Sequence, residues 1–306
     1  MSTPPEPGPS LIDGERRHLT NLAYRLLGSL TEAEDAVQEA YARWYAITER
    51  RRAAVESPAA WLTTVVGRIC LDVLGSARVR RERYVGEWIP EPLPDRTQWP
   101  AAPPGAADPA DRVTVDDSVD MAFLVVLESM TPAERVAFVL HDVFRYSFPE
   151  IAGIVGRTPA ACRQLASSGR RRVGAHRRPA PPAPRQASVL RDFKEAWQAG
   201  DIKTLVALLD PDAVMTADGG GLVSTVRRTI EGGQDIARYL TYIAGLSPDL
   251  TLLERTVNGR PGLVAQRAGA TVTVAAFGLT EDRITRIWAV RNPEKLRPWT
   301  HTPTHP

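Results

Sequence analysis

Hydrogen-bond donors that can read nucleic-acid bases are concentrated between Thr158 and Val173. Arg163 carries the forked donor that pairs with the O6 and N7 atoms of guanine, and the amide of Gln164 can pair with the adenine edge. The three consecutive arginines Arg170–Arg172 follow two turns later, where guanidinium groups suit phosphate oxygens. These residue types at this spacing predict sequence-specific contacts with duplex DNA. The predicted contacts are Thr158, Arg163, Gln164, Ser167, Arg170, Arg171 and Arg172.

The helices that must position these donors are predicted by capping signals. Thr131–Glu134 begins a helix that extends to about Phe144, with threonine as N-cap, proline in the first turn and glutamate three residues after the cap. Phe148–Val155 forms two further turns, Gly156 breaks the chain, and Thr158 with Pro159 begins a helix to about Val173. A short helix, a glycine-containing turn and a second capped helix form a helix-turn-helix motif. The alternative is a solvated basic helix without a partner.

The charge distribution indicates a polyanionic partner. The formal net charge of the 306-residue chain is only +2. From Ala160 to Arg185, however, there are seven arginines and no acidic residue, and four arginines with one glutamate lie between Arg78 and Arg83. Two separate basic segments in a nearly neutral chain are typical of a nucleic-acid-binding protein.

The compartment is predicted from cysteines and apolar segments. Cys70 and Cys162 are far apart in sequence and cannot form a disulfide framework or a zinc-binding motif, so we expect a reducing compartment. The proline-rich segment Met1–Ser10 lacks the features of a signal peptide. No apolar run reaches the roughly 18 residues of a membrane helix. We therefore expect a cytoplasmic protein without membrane contact.

The first folded part, residues 11–83, has helical periodicity. Thr31–Glu34 resembles a capping box at the start of one helix, and Ser57 with Pro58 begins another. The predicted inward stripe of the first helix consists of Ala33, Ala36, Val37, Ala40, Tyr41, Trp44 and Tyr45. The opposite, polar face consists of Asp35, Gln38 and Glu39. An acidic and polar face suits a protein partner, because it would repel DNA phosphates.

The rest of the chain divides into two folded parts and two linkers. Residues 84–112 hold seven prolines and no periodicity, which predicts an extended linker. Residues 113–178 are helical, and 179–187 form a second linker. Residues 188–299 begin with two amphipathic helices, Ser188–Gly200 and Ile202–Leu209, and continue with strand-like segments, which favours an α+β domain. The predicted strands are Leu250–Val257, Gly262–Arg267, Ala270–Phe277 and Arg283–Val290.

These motifs together resemble an RNA polymerase sigma factor of the extracytoplasmic-function class. Leu22–Ser29, Ala33–Ala40 and Trp61–Asp72 with the arginines to Arg83 are similar to region 2 of that family. Thr131–Arg135, Glu150–Ala152 and Ala160–Ser167 are similar to region 4. The resemblance implies two all-α sigma domains, a region 2 helical bundle and a region 4 helix-turn-helix domain, connected by the linker.

The resemblance also implies roles for residues. Asp35, Gln38 and Glu39 match positions that bind the coiled coil of the β′ subunit of core RNA polymerase. The positions that would bind the promoter −10 element include Arg68, Asp72, Arg78, Arg80, Arg81 and Arg83, and the helix from Thr158 would read the −35 element. Two departures are Ile69, where many relatives have asparagine, and Ser168-Gly169, which replaces Arg-Ala.

Three further segments resemble the subgroup with a fused, cone-shaped SnoaL-like domain at the C-terminus. They are Trp88–Pro92, Asp218–Gly221 and Asn292–Leu296. In that subgroup the extension regulates the sigma factor in cis, so we expect it to pack on region 2 or the linker within a monomer. The implied regulatory residues are Trp88, Pro90, Glu91, Pro92, Asp218, Gly219, Gly220, Gly221, Asn292, Pro293, Glu294 and Lys295. Alternatively, these loops only complete the fold of the domain.

Two other functions of the C-terminal domain are left open by the sequence, and a third interpretation of the whole chain is disfavoured. SnoaL relatives include polyketide cyclases that use acidic residues, and Asp210, Asp212 and Asp218 are available, although no histidine pairs with them. The domain could instead be a small-molecule sensor. A dimeric repressor is disfavoured by the region 2 match. We expect no catalytic residue, metal or cofactor.

Overall fold

The polypeptide forms two units, each built from two separate stretches of chain. The computed structural model describes residues 9–81, 84, 86–94, 120–176, 181–223, 225 and 229–299. The first unit combines Met1–Glu82 with Val126–His176, and the second combines Arg83–Val125 with Arg177–Pro306. The first linker therefore belongs to the same unit as the C-terminal domain, and the linker residues 95–112 lie outside the described residues.

Four helices form the N-terminal part of the first unit. They are α1 (Pro9–Leu27), α2 (Leu30–Ala46), α3 (Glu49–Ala53) and α4 (Pro58–Arg81). Helix α2 begins two residues earlier than predicted, because Ser29 and not Thr31 is the N-cap and accepts a hydrogen bond from the backbone of Glu32. The backbone N–H of Ala60 donates to Ser57, as the capping signal predicted for α4.

Helix α4 is the central helix of this bundle. Its segment Pro58–Ser76 is long and apolar enough to cross a membrane by length and composition, contrary to the prediction that no such run exists. The difference arises because Arg68 and Asp72 interrupt the continuous apolar run, whereas the mean hydropathy of the whole segment remains as high as that of a membrane-spanning helix. The helix packs against α1 and α2, and its buried side chains include Leu62, Val66, Ile69, Cys70 and Leu74. It is therefore a core helix of the bundle.

The second part of the first unit contains the helix-turn-helix motif. Helix α5 (Met121–Glu128) precedes α6 (Pro132–Phe138), a π-helical turn (Val139–Val143), α7 (Phe148–Val155) and α8 (Pro159–His176). Complete capping boxes begin α6 at Thr131 and α7 at Ser147. Gly156 ends α7 with a φ of 68°, a conformation that favours glycine.

Gly169 in α8 permits close packing of two helices. A Cβ atom at this position would lie 2.7 Å from Cβ of Phe138, so the glycine allows α8 to lie directly on α6. The low helix propensity of glycine is thus the cost of this close contact.

In the residues that the structure describes, the second unit contains a six-stranded sheet and three α-helices, besides the start of α5 and a short 3-10 helix, Arg297–Trp299. Helices α9 (Ala183–Ala199), α10 (Ile202–Leu208) and α11 (Gly233–Leu246) accompany strands β1 (Leu209–Asp218), β2 (Ile230–Glu231), β3 (Leu250–Val257), β4 (Arg260–Arg267), β5 (Ala270–Thr280) and β6 (Arg283–Val290). The strand order is β2-β1-β6-β5-β4-β3, and only β1 and β6 pair in parallel. This is the α+β, SnoaL-like architecture implied by the sequence resemblance.

The two faces of the sheet are covered by different parts of the chain. Side chains alternate between the faces, so that Phe277 and Ile287 pack under the helices while Ala276 and Trp288 face the other way. On this second face the apolar cluster is completed by the linker residue Ile89, by Met121 and by Leu296. The sheet is thus covered on one face by its own helices and on the other by the segments that flank the domain.

Candidate nucleic-acid interface and linker-binding site

Helix α8 presents its predicted DNA contacts to solvent. Arg163, Gln164 and Arg170–Arg172 are exposed, while Cys162 and Ala166 are buried against the preceding helices. Thr158 is exposed as well, but its hydroxyl accepts a hydrogen bond from the backbone of Ala161 and so caps the helix. Ser167 is only partly exposed. The helix therefore has the polarity expected of a recognition helix, with a basic outer face and an apolar inner face.

The four arginines of this helix have different neighbours. Nε of Arg170 donates to Asp142 at 2.5 Å, and Arg172 lies 3.8 Å from a carboxylate oxygen of Glu134. The guanidinium of Arg163 lies over the ring of Phe148, 5.2 Å from its centroid. Arg171 is exposed to solvent. Contacts with neighbouring residues thus orient Arg163 and Arg170, whereas the side chain of Arg171 extends into solvent.

Glu134 connects the start of α6 to the recognition helix. Its carboxylate accepts hydrogen bonds from Thr131 and, at 2.7 Å, from the hydroxyl of Ser168. Burial acts to raise the pKa of Glu134, but the hydrogen bonds from Ser168 and Thr131, with the nearby Arg172, outweigh it and hold the pKa below the ordinary value. Ser168 thus has a structural role.

The polar face of α2 is exposed as predicted. Asp35, Gln38 and Glu39 point to solvent, and Ala33, Ala36, Val37 and Ala40 are buried on the opposite side. Glu39 pairs with Arg43 at 2.9 Å, one turn along the same helix. This face presents an acidic surface that a cationic protein partner can bind.

The aromatic end of α2 does not lie in the core. Tyr45 is 58% exposed and Tyr41 and Trp44 are partly exposed, so the predicted inward stripe is wrong for these residues. The reason is that α2 extends beyond the bundle, where Trp44 packs on Trp61 at a centroid distance of 5.1 Å. Arg52 lies over the ring of Tyr45 at 5.9 Å.

A groove of about 520 Å³ lies beside these aromatic residues, between the end of α3 and α4. Its lining includes Glu56, Ser57, Trp61, Thr64 and Arg68. Aromatic side chains interleaved with arginines are typical of surfaces that bind unpaired bases. Sequence reasoning missed Trp44, Tyr45 and Arg52, although the cluster of three aromatic residues followed by Arg50–Arg52 was a usable signal.

The predicted −10 residues lie on or beyond α4. Arg68 and Asp72 are exposed, and Arg78, Arg80 and Arg81 belong to the last turns of the helix, where only the backbone is described. Arg83 lies outside the described residues. Arg68 does not point freely into solvent, because its guanidinium donates to the carbonyl oxygen of Gly153 in α7 at 2.8 Å.

Helix α7 of the helix-turn-helix motif packs on α4 in the first unit. Gly67 allows this contact, since a Cβ atom there would lie 2.8 Å from Cγ2 of Ile154. Leu71 of α4 and Gln164 of α8 line one cavity of about 670 Å³. A residue next to the predicted −10 contacts and a predicted −35 contact are therefore close together.

Buried polar groups also hold the N-terminal helices of the first unit and its helix-turn-helix part together. Arg135 is buried, donates to the carbonyl oxygen of Leu26 at 3.0 Å and pairs with Glu128. The Tyr146 hydroxyl lies 3.1 Å from the hydroxyl of Thr63. Burial lowers the pKa of Arg135 to about 9. A buried cation of this kind is costly, so the contact depends on these partners remaining in place.

In the second unit the predicted regulatory residues form a linker-binding site, defined as Asp218, Asn292 and Lys295. Asp218 is fully buried and accepts hydrogen bonds from the backbone of Ile89 at 3.0 Å and from the hydroxyl of Tyr84 at 2.6 Å. Lys295 bonds to Asp218 at 2.7 Å and also donates to the carbonyl oxygen of Ile89. These contacts join the linker segment to the C-terminal domain.

Aromatic and glycine residues complete this site. The ammonium of Lys295 lies 4.0 Å from the centroid of the Trp88 ring, a cation–π contact. Asn292 donates to Tyr84 and packs against Gly220, whose φ is 64° and where a Cβ atom would lie 2.4 Å from Nδ2 of Asn292. Burial and the hydrogen bond to Asp218 raise the pKa of Tyr84, so its hydroxyl remains a donor.

The placement of the remaining predicted regulatory residues varies. Pro90, Glu91 and Pro92 are buried, whereas Gly221, Pro293 and Glu294 are exposed. Gly219 is needed because a Cβ atom would lie 2.6 Å from the carbonyl oxygen of Val223. The structure therefore brings together all three sequence segments, with the exposed residues at the edges of the turns.

The other end of the linker segment pairs with the sheet. Pro94 forms an isolated antiparallel bridge with Val257, and Leu93 exchanges two hydrogen bonds with Asn258. The Trp299 indole donates to the carbonyl oxygen of Pro92 at 2.7 Å. Sequence reasoning missed Asn258 and Trp299, because their partners in the linker segment are 165 and 207 residues away in the chain.

The three aspartates considered for catalysis are not assembled into a site. Asp210 and Asp218 lie near opposite ends of β1, about 25 Å apart at roughly 3.3 Å per residue. The carboxylate of Asp210 accepts a hydrogen bond from the backbone of Asp212, as expected for a turn-like start of the strand. Among the residues that the structure describes, no group of three or more potential metal ligands is found.

Comparison with known proteins identifies the family. The family models for Sigma-70 region 2 and for Sigma-70, region 4 match residues 11–83 and 120–173. The ECF RNA polymerase sigma factor SigJ of Mycobacterium tuberculosis is 38% identical over 302 residues, which cover 94% of this chain and 92% of that protein. SigG of the same species, also an ECF RNA polymerase sigma factor, is 29% identical and covers 83% of this chain and 72% of its own.

A solved structure gives the same result for the fold. The crystal structure of the M. tuberculosis extracytoplasmic function sigma factor SigJ aligns with a TM-score of 0.72 at 35% identity, covering 94% of this chain and 97% of that chain. The alignment includes the C-terminal domain as well as the two sigma regions. The chain therefore belongs to the extracytoplasmic-function sigma factors of RNA polymerase, and its function is to direct promoter recognition and transcription initiation.

Proposed function

We propose that the C-terminal domain regulates this sigma factor in cis by holding both ends of the linker that joins the two sigma regions. The observation that carries the proposal is that Ile89 and Met121 are buried in the same apolar cluster on one face of the sheet. Ile89 lies shortly after the end of α4, and Met121 is the first residue of α5. The chain that leaves region 2 and the chain that enters region 4 are therefore fixed to one surface.

Promoter geometry gives this arrangement a consequence. The −10 and −35 elements are separate sites on the promoter, and each base pair between them adds about 3.4 Å of helix axis. Residues 82–120, fully extended at roughly 3.3 Å per residue, could span about 130 Å. With both Ile89 and Met121 bound to the sheet, most of that length cannot contribute to separating the sigma regions. At least one of the two ends must be released before both elements can be bound.

Contacts within the first unit support a closed state. Arg68, a predicted −10 contact, is bonded to the backbone of α7, and Leu71 and Gln164 line the same cavity. Residues that bind two separated promoter elements cannot be this close in the active complex. The closed state is monomeric, and core polymerase supplies the binding free energy that opens it.

The experiment is run-off transcription with purified core polymerase and full-length protein carrying Ile89→Asp. Burial of an isoleucine contributes about 1.5–3 kcal/mol. Its replacement by a charged residue therefore shifts the closed–open equilibrium by about tenfold or more, and the amount of transcript should rise. Limited proteolysis of the linker reports whether the segment has left the sheet.

The matched control is Glu87→Lys, a substitution at an exposed position of the same linker segment. It should leave both the proteolysis pattern and the amount of transcript unchanged. If Ile89→Asp makes the linker sensitive to protease and transcription does not rise, regulation by the C-terminal domain through the linker is wrong.

We further propose how the two sigma regions bind their partners. Region 2, within residues 11–83, uses Asp35, Gln38 and Glu39 on the β′ coiled coil of core polymerase. The aromatic and basic surface of Trp44, Tyr45, Arg52 and Trp61, with Arg68 and the arginines up to Arg83, binds the opened −10 strand. Region 4, within residues 113–178, reads the −35 element with α8. The protein acts where core polymerase and the chromosome are, in the cytoplasm.

We propose that the C-terminal domain, residues 188–299, has no catalytic activity. Asp218 is used to bind the linker, and Asp210 and Asp212 lie at the other end of β1. The space between the helices and the sheet is filled by apolar side chains such as Phe193, Met215 and Phe277. This packing favours a role in binding the linker over a small-molecule sensor or a cyclase.

A further inference from the structure

Arg163 rests on an aromatic support that no sequence motif indicated. Its guanidinium carbon lies 5.2 Å from the centroid of the Phe148 ring. The Phe148 ring is stacked on His141, with ring centroids 4.0 Å apart and planes 26° apart. Phe148 is therefore in contact with an imidazole and with a guanidinium, and Arg163 is the outermost, solvent-exposed member of this group.

The position of His141 is fixed by the π-helical turn. A backbone hydrogen bond from Phe144 to Val139 spans five residues and widens the helix at this point. Nδ1 of His141 donates to the carbonyl oxygen of Tyr146 at 2.9 Å, which locks the ring in place. Arg145 has a φ of 64°, an uncommon conformation for a residue with a side chain, and it turns the chain towards α7.

The position of Phe148 is fixed by the start of α7. Ser147 caps this helix in a complete capping box with Glu150, so Phe148 is its first residue. The turn of the helix-turn-helix motif then places α8 beside α7, and Arg163 extends from α8 over the Phe148 ring. The same π-helical turn carries Asp142, which holds Arg170 further along α8. The π-helical turn thus supports two exposed arginines of α8: Arg163 through His141 and Phe148, and Arg170 through Asp142.

An exposed arginine has many rotamers, and it loses this freedom when it forms a bidentate contact with a base. A support that restricts the side chain before binding reduces this loss. We propose that Phe148, backed by His141, is a positioning residue that holds Arg163 for reading a base in the −35 element. The inference rests on the proposed role of α8 and of Arg163 in binding that element.

The experiment measures promoter binding by the holoenzyme of full-length protein and core polymerase. The probe is a labelled duplex whose −35 element is selected by the wild-type holoenzyme from a randomised library. The cost of ordering one rotamer-rich side chain on binding corresponds to about a two- to tenfold change in affinity. Phe148→Leu should weaken binding by this factor and reduce the preference for the base that Arg163 reads. Phe148→Tyr, which keeps the ring, should bind within about twofold of wild type.

A double-mutant cycle separates positioning from a general effect on the fold. In an Arg163→Ala background, Phe148→Leu should cause no further loss of affinity or base preference. If the two losses simply add, Phe148 acts through the fold and the inference is overturned. If Arg163→Ala alone changes neither affinity nor base preference, the assignment of Arg163 as a base contact fails first, and the inference fails with it.

Discussion

At the scale of single residues, the proposed DNA contacts of α8 are of two kinds. Arg171 is exposed and is proposed to bind a phosphate, whereas Gln164 lies earlier in the helix and is proposed to read a base edge. A phosphate contact is independent of sequence, and a base contact is not. The two residues therefore make different predictions for the same binding assay.

Arg171→Ala should weaken binding of the holoenzyme to all promoters and reduce the slope of log affinity against log salt by about one phosphate contact. Gln164→Ala should instead change the preference at one or two positions of the −35 element, by about 1–3 kcal/mol for the preferred base. Fluorescence anisotropy with a set of −35 variants at several salt concentrations measures both. Equal weakening of every variant by Gln164→Ala would show that it is not a base contact.

The acidic face of α2 gives a second prediction at this scale. Asp35→Lys combined with Glu39→Lys should abolish binding to core polymerase, because both side chains are exposed on the proposed contact surface. The fold should persist, since neither residue packs in the core, and circular dichroism checks this. Unchanged retention of the double variant in a pull-down with core polymerase would contradict the assignment.

At the scale of secondary-structure elements, glycine sets how closely the helices approach. A Cβ atom at Gly169 would lie 2.7 Å from Cβ of Phe138, while at Gly174 of the same helix nothing lies within 4 Å. Gly169→Ala should therefore lower the free energy of unfolding by about 1–3 kcal/mol, the usual cost of overpacking.

Gly174→Ala is the matched control for this prediction. It should raise the free energy of unfolding by about 0.5–1 kcal/mol, because alanine has the higher helix propensity and has room at this position. Thermal and urea unfolding measure both variants. Stabilisation by Gly169→Ala would mean that α8 does not lie on α6 as described.

Elements with strong local signals could be predicted from the sequence, and others could not. The alternation of apolar residues located β3 and β6 to within a residue, and capping residues located α7 and α8. Strand β1 was missed because Asp210-Pro211-Asp212 has the residue types of a turn. Helix α11 was missed because its N-cap, Gly232, makes no side-chain cap. The π-helical turn depends on packing with neighbouring helices and leaves no local pattern.

The candidate sites show the same division. The exposed face of Asp35, Gln38 and Glu39 follows from helical periodicity alone. The orientation of Tyr45 does not, because it depends on where α2 extends beyond the bundle. The contact of Lys295 with Asp218 and Ile89 joins residues far apart in sequence, and such pairings depend on the tertiary fold. Asn258 and Trp299 were missed for this reason.

At the scale of the whole molecule, the chain on both sides of the linker residues 95–112 forms part of the apolar core of the C-terminal domain. Ile89 and Met121 complete the apolar cover of the sheet, so releasing them exposes apolar surface on the domain. In the proposed mechanism, the energetic cost of that exposure keeps the linker bound until core polymerase competes for the sigma regions. The proposed regulation therefore depends on the balance between the contacts of the linker with the sheet and the contacts of the sigma regions with core polymerase.

The central claim is tested most directly by the distance between region 2 and region 4, measured by double electron–electron resonance. Spin labels at Ala42→Cys and Gly174→Cys occupy exposed positions, and the native Cys70 and Cys162 are buried. The free labelled protein that retains Ile89 should give a single short distance between the two labels. Both Ile89→Asp and binding to core polymerase should shift the distribution to longer distances. If the free wild-type protein already shows the distance found with core polymerase, the C-terminal domain does not hold the sigma regions closed.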